Sequence, residues 1–130
     1  MSERWILRIQ DKYGRGPWRP GFSKSWVNQD EGARPLPPTV QDEFKDIAKI
    51  VAQADLRGWS IGCGARGHSG IGKWFLPDEI ERLRSKGFYL VRAHACRVLA
   101  ESENQVVFAS RRPLRFLPHI SFQEPVGIAA

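Results

Sequence analysis

Alternation is the first pattern along the chain. In residues 4–10, Trp5, Leu7 and Ile9 fall on one face of an extended segment, and Ile6, Arg8 and Gln10 fall on the other, which predicts a strand. A helical period replaces it at Val40, Phe44, Ile47, Ala48, Val51 and Ala54. That spacing predicts a helix over about 40–55, with Thr39 as its N-cap, Gln41, Asp42 and Glu43 at the positive end of the dipole, and Gly58 as the stop. Trp59 to Ile61 reads as a short strand running into Gly62, Cys63 and Gly64. A helical turn near 70–75 and a helix over 77–86 follow, with Pro77 at the first helical position and Gly87 at the end. Residues 88–93 are apolar except for Arg92, as in a central strand covered on both faces. Gln105 to Ser110 and Leu114 to Leu117 read as a closing hairpin across Arg111, Arg112 and Pro113.

Between the first strand and the first helix the pattern breaks. Residues 11–38 contain Gly14, Gly16, Pro17, Pro20, Gly21, Gly32, Pro35, Pro37 and Pro38, interleaved with Tyr13, Trp18, Phe22 and Trp26. Proline and glycine at this density forbid long regular elements, and the aromatic residues predict an ordered arm laid over the sheet, outside the regular core. The residues after Pro118 form a C-terminal extension. The expectation is one α+β domain over residues 1–130, with a twisted, mostly antiparallel sheet and two main helices.

Composition changes this picture in one respect. Lys and Arg number 20 against 14 Asp and Glu, a formal charge of +6, which biases encounters toward nucleic acid or acidic protein surfaces. No apolar run is long enough to span a bilayer and no secretion signal opens the chain, so the expected location is the bacterial cytoplasm, without a membrane partner. Cys63 and Cys96 are then expected as reduced thiols.

Several constellations were weighed against plainer readings. Gly67-His68-Ser69-Gly70-Ile71-Gly72-Lys73 matches the first seven positions of a phosphate-binding loop, but Trp74 replaces the hydroxyl that would reach magnesium. A glycine-rich connection is the better reading. Cys63, His68, His94 and Cys96 carry zinc-type donors at a spacing that fits no common finger, so no metal is expected. The arm motif Gly14-Arg15-Gly16-Pro17-Trp18-Arg19-Pro20-Gly21 sets two cations and an indole on a stiff backbone, as binding loops do. Arg15, Trp18, Arg19, Phe22 and Trp26 are its candidate binding residues.

The order of these motifs resembles the small ADP-ribosyltransferase-like fold. Arg8 in Leu7-Arg8-Ile9 stands where that family carries its NAD-gripping residue. Trp59 to Arg66 with the Ser69 to Phe75 turn resembles its middle strand and trailing helix. Glu103-Asn104-Gln105-Val106-Val107-Phe108 followed by Leu114 to Leu117 is similar to its Glu-x-Glu and closing strands. The resemblance implies a degenerate transferase fold, NAD as a ligand, and Arg8, Glu103 and Gln105 as catalytic residues. Gln105 stands in the place of the catalytic Glu and lacks its charge, and Gly62-Cys63-Gly64 replaces a Ser-Thr-Ser-type segment. The short basic texture around RGPWRPG also resembles uncharacterised small prophage-encoded proteins. The leading expectation is an accessory phage or prophage protein that binds a host or defence protein, or another host macromolecule, through the arm. An NAD-dependent transferase and a nucleic-acid-binding protein are the alternatives.

Overall fold

A computed structural model describes residues 5–19, 21–28, 38–94 and 97–122. Its centre is a six-stranded sheet in the order β4-β5-β2-β1-β3-β6, with every pair antiparallel. The strands are β1 (Ile6–Gln10), β2 (Ser60–Arg66), β3 (Tyr89–Ala93), β4 (Arg97–Glu101), β5 (Val106–Ser110) and β6 (His119–Ile120). Four short helices accompany them: α1 (Val40–Glu43), α2 (Ile47–Gln53), α3 (Gly67–Trp74) and α4 (Pro77–Ser85).

The sheet carries a core on each side, and β1 supplies both. Leu7 and Ile9 join Trp26, Ile71, Trp74, Phe75, Leu83, Phe88 and Leu90, while Ile6 joins Val91, Ala93, Val106, Phe108 and Leu117. Strand β1 pairs with β3 over its full length but with β2 through only Ile6–Arg66 and Leu7–Ala65. The glycines of β2 are there for close approach. A Cβ on Gly64 would lie 2.4 Å from the Leu7 carbonyl oxygen, and one on Gly62 would lie 3.1 Å from Leu114. No side chain fits there.

Several local predictions hold. The Thr39 hydroxyl accepts from the Asp42 amide at 3.1 Å, Pro77 opens α4, and Gly58 and Gly87 adopt φ of 82° and 89°. Others need correction. The helix over 40–55 is two pieces, because Phe44 leaves helical geometry at φ −123°, ψ 82°. Four short helices therefore replace the two main ones. Strand β2 continues through the glycines to Arg66, and the 67–73 segment is helix α3 in place of a glycine-rich connection.

The predicted closing hairpin is also replaced. Strand β5 pairs with β4 across the Ser102 to Gln105 turn and with β2 on its other edge. Leu114–Phe116 forms a 3₁₀ turn, and the chain then crosses to β3 as β6. Pro113 offers no amide to a ladder, which is consistent with the chain leaving the sheet there.

The arm is the largest correction. Trp26 has no exposed surface, its Nε1–H donates to the Pro17 carbonyl at 3.1 Å, and its ring lies 4.6 Å from Trp18 and 5.5 Å from Phe75. Phe22 packs 5.5 Å from Phe88. Buried Glu79 accepts from the Leu76 amide at 3.0 Å and from the Asn28 amide at 2.7 Å, which pins the end of the segment to α4. Arg82 adds bonds to the Trp26 carbonyl and to Asn28 Oδ1. Large rings on an irregular backbone have here become core, packed in one cluster with Ile71 and Trp74 of α3, Leu83 of α4, Phe75 and Phe88.

Candidate functional site

Arg8, Glu103 and Gln105 do not come together. Arg8 lies on the pleat side of Ile6, where Nε donates to Gln10 Oε1 at 3.0 Å, Nη1 to the Cys63 carbonyl at 3.0 Å and Nη2 to the Gly14 carbonyl at 2.8 Å. Burial pushes its pKa down, opposed mainly by Cys63 and also by Asp11. Gln105 immediately precedes Val106, which shares the Ile6 core, so alternation turns its side chain to the opposite side of the sheet. There its amide donates to Glu43 Oε1 at 2.9 Å and to the Pro38 carbonyl at 3.1 Å. The residues assigned to NAD by the transferase resemblance thus form no single site. Arg8 instead organises the backbone of its own neighbourhood.

Glu103 and Gln105 line a cleft of about 320 Å³ with Arg66, Ser69, Lys73 and Glu101. The charges in this cleft are largely answered. Arg66 donates twice to Glu101, at 2.8 and 3.0 Å, and holds its carboxyl below the usual range. Lys73 donates to Asn104 at 3.0 Å, and Asn104 donates to Glu43 at 2.7 Å. Burial pushes Glu43 up, but the hydrogen bonds from Gln105, Asn104 and Ser102 outweigh it and hold its carboxyl low. This network fastens α1 to the β4–β5 turn.

The arm residues singled out by sequence are divided by the structure. Trp26 is core, and Trp18 and Phe22 are half-buried against it. Arg19 stacks 4.5 Å over Phe22, with a buried Nε that makes no hydrogen bond. Only Arg15 is well exposed, and it is ion-paired to Asp11 at 3.0 Å. Burial raises Asp11, but the Arg15 and Tyr13 amides and the Arg15 guanidinium overcome it, so its carboxyl lies below the usual range.

A second cleft, of about 460 Å³, was not found by sequence reasoning. It is lined by Trp5, Arg92, His94, Ser110, Arg111, Arg112, Leu117 and Pro118. Among the described residues, no carboxylate lines it. Trp5 and His94 stack at 3.4 Å with 15° between their planes, and the Arg92 guanidinium lies 4.1 Å over the Trp5 ring. Arg111 lies 4.8 Å over Trp59. Among the described residues, none of the three arginines has a carboxylate partner. The signal was present as scattered letters, since the Arg111-Arg112 pair was read as the turn of a hairpin. What brings it to Arg92 is the crossing of the chain to β3, where the Arg92 amide donates to the Pro118 carbonyl at 3.1 Å.

Residues 1–118 match the model of the bacteriophage T4 Y00F protein family. The chain belongs to that family. No curated protein and no solved structure matches it. The Y00F match establishes a phage-type small protein, whereas an ADP-ribosyltransferase likeness finds no support among these comparisons. In this Y00F family member, no described helix is long and apolar enough to cross a membrane. Among the described residues no three His, Cys, Asp or Glu side chains gather as metal ligands, and Cys63 is a free thiol. Cys96 of the considered zinc set lies outside the described residues, as do Pro20, residues 29–37 of the arm and residues 123–130 of the C-terminal extension.

Proposed function

We propose that this phage protein binds single-stranded nucleic acid in the cleft between Trp5, Arg92, His94, Arg111 and Arg112. The observation that carries the reading is that three arginines without a described carboxylate partner line one cleft with the stacked Trp5–His94 pair, Arg92 lying directly over Trp5. Phosphates answer the guanidiniums. Bases answer the rings: exposed His94 has one face against Trp5 and leaves the other for stacking. A duplex hides its base faces, so a single strand uses this cleft more fully. This moves the contact surface from the arm, whose rings serve the core, to the cleft formed by Trp5, β3 and the Arg111–Pro118 loop. The formal charge of +6 supplies long-range attraction.

Fluorescence anisotropy with labelled oligothymidylate, a duplex of equal length, and free mononucleotide and NAD tests the reading. The single strand is expected to bind best, with affinity falling as salt rises. Replacing Arg111 and Arg112 by Ala should flatten the salt slope by about 1.4 units, at about 0.7 per lost phosphate contact on single strands. Replacing exposed Lys24 and Lys86, which lie outside the cleft, should change it less. Equal losses from both pairs would reduce the cleft to general charge. Binding of mononucleotide or NAD without strand binding would replace the polymer by a free nucleotide.

A further inference from the structure

The loop that lines one wall of the cleft carries a second surface on its other side. Phe116 is 59% exposed and Tyr13 is 62% exposed, both far above what large rings of a folded domain ordinarily retain. Each is flanked by cations. Lys12 Nζ lies 5.2 Å and Arg15 Cζ 5.0 Å from the Tyr13 ring, and Arg115 Cζ lies 4.6 Å from the Phe116 ring. Arg15 is answered by Asp11, which leaves Lys12 and Arg115 as the net charge beside the rings.

Although Tyr13 and Phe116 are distant in sequence, their loops are fastened together. A Cβ on Gly14 would lie 3.0 Å from the Arg115 amide nitrogen and 3.2 Å from Leu114 Cβ, so the backbones already touch. The two inward polar residues of β1 hold them there. Arg8 donates to the Gly14 carbonyl at 2.8 Å, and Gln10 donates to the Leu114 carbonyl at 2.6 Å. Arg112, a cleft residue, reaches the Phe116 carbonyl with Nη1 at 3.5 Å. The cleft and Phe116 therefore share one short loop, to which the Tyr13 loop is fastened.

We infer that Tyr13 and Phe116 form a second stacking station for the same strand, which leaves the Trp5–His94 cleft over Arg112 and lays further bases on these two rings. The inference rests on the binding function proposed above. Charge complementarity selects the occupant: exposed rings bordered by cations suit a ligand that alternates flat bases with phosphates. Arg8 and Gln10 are positioning residues for this station, since they hold the Gly14 and Leu114 carbonyls of the two loops that carry it.

The test is a length series of oligothymidylates of 4, 6, 8 and 12 nucleotides, measured by anisotropy on the full chain. Wild type should show a step in affinity as the strand becomes long enough to reach the second station. Phe116→Ala and Tyr13→Ala should each remove about tenfold from binding of the longest strand, while leaving the shortest unchanged. Phe116→Leu keeps apolar bulk without a ring and should lose the step as well. Arg111→Ala should weaken every length alike. A wild-type series without a step, full binding by Phe116→Ala, or an equal loss at all lengths for Phe116→Ala would overturn the second station and leave the cleft reading intact. Failure of wild type to bind any length would overturn both. Both rings are more than half exposed, so the variants should melt as wild type does, and retention of the step by Phe116→Leu would point to a partner that reads apolar bulk in place of bases.

Discussion

Residues 17–28 and the loop Arg111–Pro118 are alike in sequence texture: both are irregular, both contain proline, and both mix arginine with aromatic residues. Their fates are opposite. In the first, Trp26 is fully buried and Trp18 and Phe22 wedge between it, Phe75 and Phe88. In the second, Leu117 is buried, but Phe116, Arg111, Arg112 and Arg115 remain at the surface. What lies beneath decides. The arm packs on apolar residues of α3 and α4, Ile71, Trp74 and Leu83, whereas the loop adds only Leu117 and part of Leu114 to the core of Ile6, Val91 and Phe108. Aromatic content thus marks a segment that will be ordered, and only the surface below it decides whether its rings become core or contact.

The sharpest way to break this comparison is Trp26→Ala. Loss of a fully buried indole and its hydrogen bond should cost about 3–5 kcal/mol, read from the urea midpoint, while Phe116→Ala should stay within about 0.5 kcal/mol of wild type. An unchanged midpoint for Trp26→Ala would return the arm to the surface. A smaller effect separates the Gly14 turn from the aromatic core beside it. Arg8→Met removes the donors that hold the Gly14 and Cys63 carbonyls and should cost about 1.5–3 kcal/mol. Faster amide exchange around Gly14 and Cys63, with the Trp26 cluster still protected, would confirm that Arg8 serves these backbones and not the arm's core.

The smallest effect is in acid. Asp11 has a depressed pKa, so the stability it contributes is complete above the ordinary carboxylate range, about 4, and is withdrawn as pH falls through its lower folded value. Asp11→Asn should therefore lower the melting temperature slightly at neutral pH and flatten its fall below about pH 4. It should not abolish that fall, because Glu43 and Glu101 titrate in the same direction. An undiminished acid dependence would show that the Arg15 pairing contributes nothing to holding the Tyr13 loop.

What could be read from sequence was local. The alternation of β1, the Thr39 cap, Pro77 and the glycine stops all act through neighbouring residues, and the structure keeps them. What escaped depended on residues far apart. The glycines of β2 look like a turn until Leu7 and Leu114 are brought against them. The pairing of β5 with β4 was hidden because the alternative partner, Leu114 to Leu117, is equally apolar and closer to a proline turn. The second cleft was illegible for the same reason. Its arginines come from β3 and from a loop whose crossing no local rule announces.

The two-pair seam between β1 and β2 has a consequence in time. Residues Ile6 to Gln10 are made early, but the neighbours that complete their ladder are Ala65 and Arg66 on one edge and Tyr89 to Ala93 on the other. At about 5–20 residues per second, several seconds of synthesis pass before β3 exists. Through that interval Leu7 and Ile9 are apolar residues of an unpaired strand. Strand β1 therefore waits for partners made long after it, and a chain stopped before Ala65 leaves it with neither neighbour.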